Sequence, residues 1–306
     1  MFTRIHHVGL VVGDLEAARR LWADVYGFPV TGYGVRVDEN RTFVPHGREV
    51  SQKDVTILDV AVGGTELEFN EPRDPESGTS RYLARRGPGL HHLSLATNDL
   101  ERDVARLQAG GLQLIVPPVG HPEAKEGARI AFFHPKDNLG VLLELWQDTP
   151  AQGVAPACRR GRGGGLTRLH HVGVVAPSIP EARHLLEEVY GLRLGAHCPP
   201  EGRYAAFDHV RALDFPVGET EIEVVVPQDS SSGTARFLAS RGPGLHHLCL
   251  SSEDIEEDMG RLKGAGLQEV GKVGPGALPG VKVGWLHPRS NLGVLVELWQ
   301  DVGGGV

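Results

Sequence analysis

Arg86-Gly-Pro-Gly-Leu-His-His-Leu93 recurs as Arg241-Gly-Pro-Gly-Leu-His-His-Leu248, and Asn138-Leu-Gly-Val-Leu-Leu-Glu-Leu-Trp-Gln-Asp148 recurs as Asn291-Leu-Gly-Val-Leu-Val-Glu-Leu-Trp-Gln-Asp301. A His-Pro pair stands just upstream of each second motif, at His134-Pro135 and His287-Pro288. Two long motifs repeated in the same order make the chain a duplication. The seam is the Pro/Gly/Ala/Arg-rich run after Thr149, which reads as a flexible linker. The expected organisation is a first domain over 1–149, a linker over 150–165 and a second domain over 166–306.

A fainter repeat lies inside each half. His6-His7 leads to Asp14, His91-His92 to Asp99, His170-His171 to Ser178 and His246-His247 to Asp254. In each case the second His stands seven residues before a helix-capping residue. The stripes Leu15, Ala18, Trp22, Val25 and Ile179, Ala182, Leu186, Val189 follow two of the caps, with Gly27 and Gly191 as stops. Leu100, Val104, Leu107 and Ile255, Met259, Leu262 follow the other two. Strand-like runs then return, among them Val55–Val62, Glu66–Phe69, Ile130–Phe133 and Val141–Trp146. The chain therefore reads as α+β: four βαβββ modules, paired into two domains.

Strand side chains alternate between faces, so parity assigns each a side. His7 shares a face with Ile5, Gly9 and Val11, while His6 falls with Val8, Leu10 and Val12. Glu66 and Glu68 oppose Leu67 and Phe69; Glu144 opposes Val141, Leu143 and Leu145. Each module thus puts one His on its first strand and one Glu on its last. The sets are His7, Glu68, His92 and Glu144, then His171, Glu223, His247 and Glu297, with His-to-Glu spacings of 61, 52, 52 and 50 residues. A Glu on a strand is ordinarily solvated and a strand His ordinarily a satisfied core residue. Recurrence of two His and two Glu at matched places in both halves favours a ligand set instead. Imidazoles and carboxylates together suit a divalent metal such as zinc, nickel, cobalt, manganese or iron, up to two per chain. By parity His6, His91, His170 and His246 face the other way and read as structural or as supports for the neighbouring His.

Composition narrows the classes. With 306 residues, 40% hydrophobic and 23% charged, the chain suits a soluble protein with two cores. No run approaches a membrane span, and the N-terminus lacks a signal-peptide pattern. A net charge of −8 without a broad basic tract argues against nucleic acid as a partner. Cys158, Cys198 and Cys249 form no CxxC and suit a reducing compartment, so the expected location is cytoplasmic.

The paired βαβββ modules with His-Glu-His-Glu positions resemble the vicinal oxygen chelate superfamily of glyoxalases, bleomycin-resistance proteins and extradiol dioxygenases. Gly89-Leu-His-His-Leu93 and His134-Pro-Lys-Asp-Asn-Leu-Gly-Val-Leu-Leu-Glu-Leu145 most resemble the methylmalonyl-CoA epimerases. The resemblance covers both halves and implies half-barrel domains, each folded around one metal held by the four residues above. It implies a metal-dependent isomerase or lyase acting on a small carbonyl or thioester substrate, with Glu144, Glu297, Glu68 and Glu223 as candidate proton carriers. It also implies a further glutamate sixteen residues before the Glu68 position, where this chain has Gln52 and, in the second half, Phe207. Two other functions compete. An extradiol-type dioxygenase would leave the Glu68 and Glu223 positions open, and a non-catalytic, antibiotic-sequestering binder would need only the cleft. The fused halves supply an internal pseudo-dimer, so a monomer or a homodimer is expected. The first half carries nine extra residues within Thr31–Lys53, with Arg36, Arg41, His46 and Arg48, which read as a loop able to cover the cleft. The rims Pro117–Gly127 and Gly271–Gly280 also differ between halves.

Overall fold

The computed structural model describes residues 1–35, 42–43, 50–51, 55–120, 128–148 and 164–303. The linker, Gln52 and most of the first-half insertion, including Arg36, Arg41, His46 and Arg48, lie outside the described residues, as does 121–127 of the first rim.

The first half contains β1 (Phe2–Val11), α1 (Leu15–Arg19), β2 (Val30–Val35), β3 (Thr42–Phe43), β4 (Val50–Ser51), β5 (Val55–Val62), β6 (Thr65–Pro72), α2 (Gly78–Arg86), β7 (Gly89–Thr97), α3 (Leu100–Ala109), β8 (Leu114–Gly120), β9 (Arg129–Phe133) and β10 (Leu142–Gln147). The second half contains β11 (Leu166–Val175), α4 (Ile179–Arg183), β12 (Arg203–Ala205), β13 (Val210–Val217), β14 (Thr220–Pro227), α5 (Gly233–Arg241), β15 (Gly244–Ser252), α6 (Ile255–Gly264), β16 (Glu269–Pro275), β17 (Val281–Leu286) and β18 (Leu295–Asp301). Each half forms one curled eight-stranded sheet, in the order β2-β5-β6-β1-β7-β10-β9-β8 and β12-β13-β14-β11-β15-β18-β17-β16. A separate two-residue ladder joins β3 and β4.

This order explains why the site forms. The first strands of the two modules, β1 and β7, pair antiparallel at the centre, and each is flanked on its other side by the last strand of its own module in parallel register. The four central strands are therefore the ones carrying Glu68, His7, His92 and Glu144. In the second half β14, β11, β15 and β18 repeat the arrangement with Glu223, His171, His247 and Glu297.

The caps form where the sequence places them: Asp14, Asp99, Ser178 and Asp254 each accept a backbone N–H three residues on. One periodicity reading needs correction. Beyond Arg19 and beyond Arg183 the helices continue as π-helical turns, over Arg20–Val25 and His184–Val189. The wider turn shifts the phase of the stripe, so fully buried Tyr26 takes the core place expected of Val25. Helices α2 and α5, which connect the modules, have no counterpart in the sequence reading. Helix α2 buries no residue, so it shows no apolar stripe to read.

One apolar cluster runs through both halves, from Trp22 and Phe69 in the first to Phe215 and Leu298 in the second. The contacts between halves are reciprocal. Tyr26 Oη donates to Asn291 Oδ1 at 3.0 Å, and Tyr190 Oη to Asn138 Oδ1 at 2.6 Å. Arg106 reaches the Val189 and Tyr190 carbonyls, and Arg261 reaches that of Val25. No helix among the described residues is long and apolar enough to cross a membrane.

Candidate metal centres

The eight predicted ligands meet as two sets of four. His7 Nε2 lies 3.0 Å from His92 Nε2, 2.9 Å from Glu144 Oε2 and 3.9 Å from Glu68 Oε2; His92 Nε2 lies 3.8 Å from Glu68 Oε1. In the second half His171 Nε2 lies 3.0 Å from His247 Nε2, 3.0 Å from Glu297 Oε2 and 3.5 Å from Glu223 Oε2; His247 Nε2 lies 3.4 Å from Glu223 Oε2. All eight side chains are buried. A single cation between these atoms would reach nitrogen and oxygen donors of the kind borderline divalent metals prefer. Glu144 Oε2 is buried and faces the His7 and His92 ring nitrogens at 2.9 and 4.0 Å, so a cation among them would meet a carboxylate oxygen held away from bulk water. The donor set fits a divalent ion.

The electrostatics agree. Burial alone would lower the His7 and His171 imidazoles. The facing carboxylates, Glu68 and Glu144 or Glu223 and Glu297, overcome it and push both up to about 9. Conversely, burial raises Glu144, but the His7 charge holds it below the usual carboxylate range.

The supporting histidines show where parity fails. The β1/β7 register shifts between Ile5 and His7 and between Gly9 and Leu10, leaving His6 and His91 as β-bulge residues. The β11/β15 ladder does the same at His170 and His246. A bulge adds one residue without a partner and turns its side chain. Each ring therefore does not join the apolar face that alternation assigns it. Instead it sits beside the next His: the Nδ1···Nδ1 distances are 2.8, 3.1, 3.0 and 3.0 Å for the His6–His7, His91–His92, His170–His171 and His246–His247 pairs. A ligand bound through Nε2 keeps its proton on Nδ1 and donates it to this neighbour. Burial lowers His91, His170 and His246 to about 3, which keeps them neutral and able to accept. His6 stacks on Trp146 at 4.2 Å and His170 on Trp299 at 4.6 Å, so the tryptophans of the repeated motif fix two of the rings.

Two glycines make room for the ligands. A Cβ at Gly9 would lie 1.9 Å from His92 Cε1, and one at Gly173 would lie 2.0 Å from His247 Cε1. The sequence signal was present, a glycine within a strand in both His-His-Val-Gly copies, and such a residue marks close approach.

The centres differ in their surroundings. Asn70 Nδ2 donates to Glu68 Oε1 at 2.9 Å. In the second half Arg203, also buried, donates to Asp214 at 2.7 Å and sits 3.5 Å from Glu223 Oε1. Neither Arg203 nor Asp214 was singled out from sequence, although the repeat places Arg48 and Asp59 at the same spacings before Glu68. Ser94 beside the first centre is replaced by Cys249 beside the second, which clusters with His170 and His171. Burial, then Glu297, raises the Cys249 thiol well above its usual value. The second centre opens into a cavity of about 700 Å³ lined by Glu223, His247, Glu297, Arg203, Trp285 and Phe207. Phe207, at the position where an acid/base glutamate was looked for, is half exposed with its ring 5.8 Å from that of Trp285. Part of the second-half rim, around Gly271 and Lys272, also lines this cavity.

Two curled sheets, each gathering two His and two Glu on its four central strands, define the class. The family model for the Glyoxalase/Bleomycin resistance protein/Dioxygenase superfamily matches residues 6–132 and again 170–284, and the chain belongs to that family. Individual relatives are more distant. The chain is 35% identical over 141 residues to an ethylmalonyl-CoA/methylmalonyl-CoA epimerase of Cereibacter sphaeroides, covering 44% of this chain and 98% of that protein. It is 34% identical over 140 residues to the mitochondrial methylmalonyl-CoA epimerase of Bos taurus, covering 44% and 75%. Over the whole chain the fold is shared with a triple mutant of 4-hydroxymandelate synthase from Streptomyces coelicolor, at TM-score 0.72 and 16% identity, covering 100% and 94%. It is also shared with the Mn(II)-bound glyoxalase from Novosphingobium aromaticivorans, at TM-score 0.65 and 15% identity, covering 98% and 83%.

Proposed function

We propose that the chain is a divalent-metal-dependent isomerase or lyase of the glyoxalase/methylmalonyl-CoA epimerase type, with one centre in each of two domains, 1–149 and 166–306, acting in the cytoplasm. The observation that carries this is the duplicated convergence of two imidazoles and two carboxylates, with Glu144 and Glu297 about 3 Å from His7 and His171. The ligands would be His7, Glu68, His92 and Glu144, then His171, Glu223, His247 and Glu297. A divalent cation bound by these residues would supply Lewis-acid stabilisation of the charge that develops on a carbonyl oxygen as the α-proton leaves. Glu144 stays ionised beside His7 and is positioned to accept that proton; Glu297 is its counterpart. Glu68 and Glu223 supply the second carboxylate of each centre. Phe207 carries no proton, so in the second half the transfer falls to Glu297 and Glu223. The paired supporting histidines hold the ligand rings, and Trp285 and Phe207 form an apolar wall of the second cavity.

The test is proton exchange in deuterated water with a thioester and a hemithioacetal substrate. Metal-dependent deuterium uptake at the α-carbon is expected, lost in the E144Q/E297Q double variant. Absence of exchange with both substrates, together with oxygen uptake on catechols, would replace this reading with an extradiol-type oxidation. Tight ligand binding without metal would point to a non-catalytic binder.

A further inference from the structure

Between the halves lies a second cavity, of about 500 Å³, lined in matched pairs from both. Helices α2 and α5 lead into it, and neither contains an Asp or Glu. Arg85 and Arg86 of α2 and Arg236 and Arg241 of α5 line it, with His91 and His246, and no carboxylate is among its described lining residues. In a chain of net charge −8 this is an unusual concentration of one sign. None of the four arginines makes an ion pair among the described residues.

The ordinary explanation is that basic side chains complement the negative end of a helix dipole. It accounts for Arg85, Arg86 and Arg241, which sit in the last turns of their helices. It does not cover Arg236, near the start of α5, whose Nη1 instead donates to the Ser231 carbonyl. Nor does it explain why two helices from different halves turn their cations to one space. A rounded space of this volume is roughly 10 Å across, about one screening length at physiological salt, so an anion inside it would lie within electrostatic reach of each guanidinium group. Planar guanidinium forks match phosphate oxygens in pairs. Arg86 Nη1 also donates to the Arg241 carbonyl at 3.3 Å, which holds one fork at the rim from across the pseudo-twofold axis.

We propose that this cavity is a binding site for a phosphate-bearing anion, one per chain, away from the metal ligands themselves although Arg236, Phe237 and His246 also line the second cleft. The volume admits a diphosphate group and lies within the usual range of small-ligand sites. His91 and His246 form its floor and touch His92 and His247 on their far sides, so an occupant would sit one side chain away from a ligand of each centre.

The experiment is calorimetric titration of the full chain, treated with EDTA, with pyrophosphate at constant ionic strength set by sodium chloride. Saturable binding near one per chain is expected. It should weaken at least about 10-fold in R86Q/R241Q and in R85Q/R236Q, and remain unchanged in H7A/H171A. Arg85 and Arg236 are exposed, so the second pair tests the site even where the first perturbs folding. A nucleoside diphosphate binding more tightly than pyrophosphate would identify a nucleotide-borne group; equal binding would identify the phosphates alone. Absence of saturable binding over chloride overturns the proposal. So does binding kept by both arginine variants and lost in H7A/H171A, which would place the anion in the metal clefts.

Discussion

Replacing Gly9 with alanine separates a ligand geometry from a merely buried histidine. The new Cβ would fall 1.9 Å from His92 Cε1, 2.1 Å from Nδ1 and 2.5 Å from Nε2. Ordinary contact begins near 3.4 Å, so the ring must move by on the order of 1.5 Å. Metal–ligand distances tolerate only about 0.2 Å. The backbone at Gly9 is not in the left-handed region, so alanine adds no strain of its own and the ring takes the whole displacement. Overpacking of this kind costs about 1–3 kcal/mol of stability. Changes in the partners of metal ligands alone weaken binding 10–100-fold, so displacing a ligand sets about 100-fold as the lower bound at the first centre. Metal content per chain, followed by chelator competition, reads this directly. Wild type should hold two equivalents, G9A and G173A one each, and the double variant none. A G9A protein that retains both equivalents at wild-type affinity would refute the role of His92.

Because carboxylates push His7 and His171 to about 9, each metal ion should displace about one proton at pH 7.5; calorimetry in buffers of different ionisation enthalpy measures it, and no buffer dependence would count against the site. Stability of the metal-free protein should fall with acid. His91, His170 and His246 are held at about 3, below the unfolded value of 6.5, so their contribution is complete above pH 6.5 and shrinks as pH drops towards 3. The loss is roughly 1 kcal/mol per pH unit per histidine, and urea titrations that stay flat from pH 6.5 to 5 would contradict it. His7 and His171, raised in the folded state, do not offset this. Their contribution is complete below 6.5 and disappears only as pH rises through 9. Tyr26→Phe or Tyr190→Phe strands a buried Asn oxygen and should cost about 1–3 kcal/mol by denaturant unfolding; a neutral result would mean that the halves do not depend on those bonds.

The convergence of the four His and four Glu was legible because they are periodic: they fall at matched places on strands whose neighbours are apolar, and the duplication prints the pattern twice. The bulges were not legible. Alternation puts His6 with Val8 and Leu10, and only the pairing of β1 with β7 shows that the extra residue turns the ring to the other side. The π-helical turn escapes for a similar reason, since a period of 3.6 fits Val25 until the turn widens and Tyr26 takes its place. Helices α2 and α5 were missed because they are polar and contribute little to the core. Arg203 and Asp214 were missed although the repeat carries them, as Arg48 and Asp59 at the same spacings before Glu68; their partnership itself shows only when β12 pairs with β13.

The shared core has an evolutionary consequence. In a symmetric homodimer every substitution strikes both sites at once, whereas here one change alters one site while the shared core and the contacts between halves are kept. Ser94 against Cys249 and Asn70 against Val225 show that the two centres already differ behind a common scaffold.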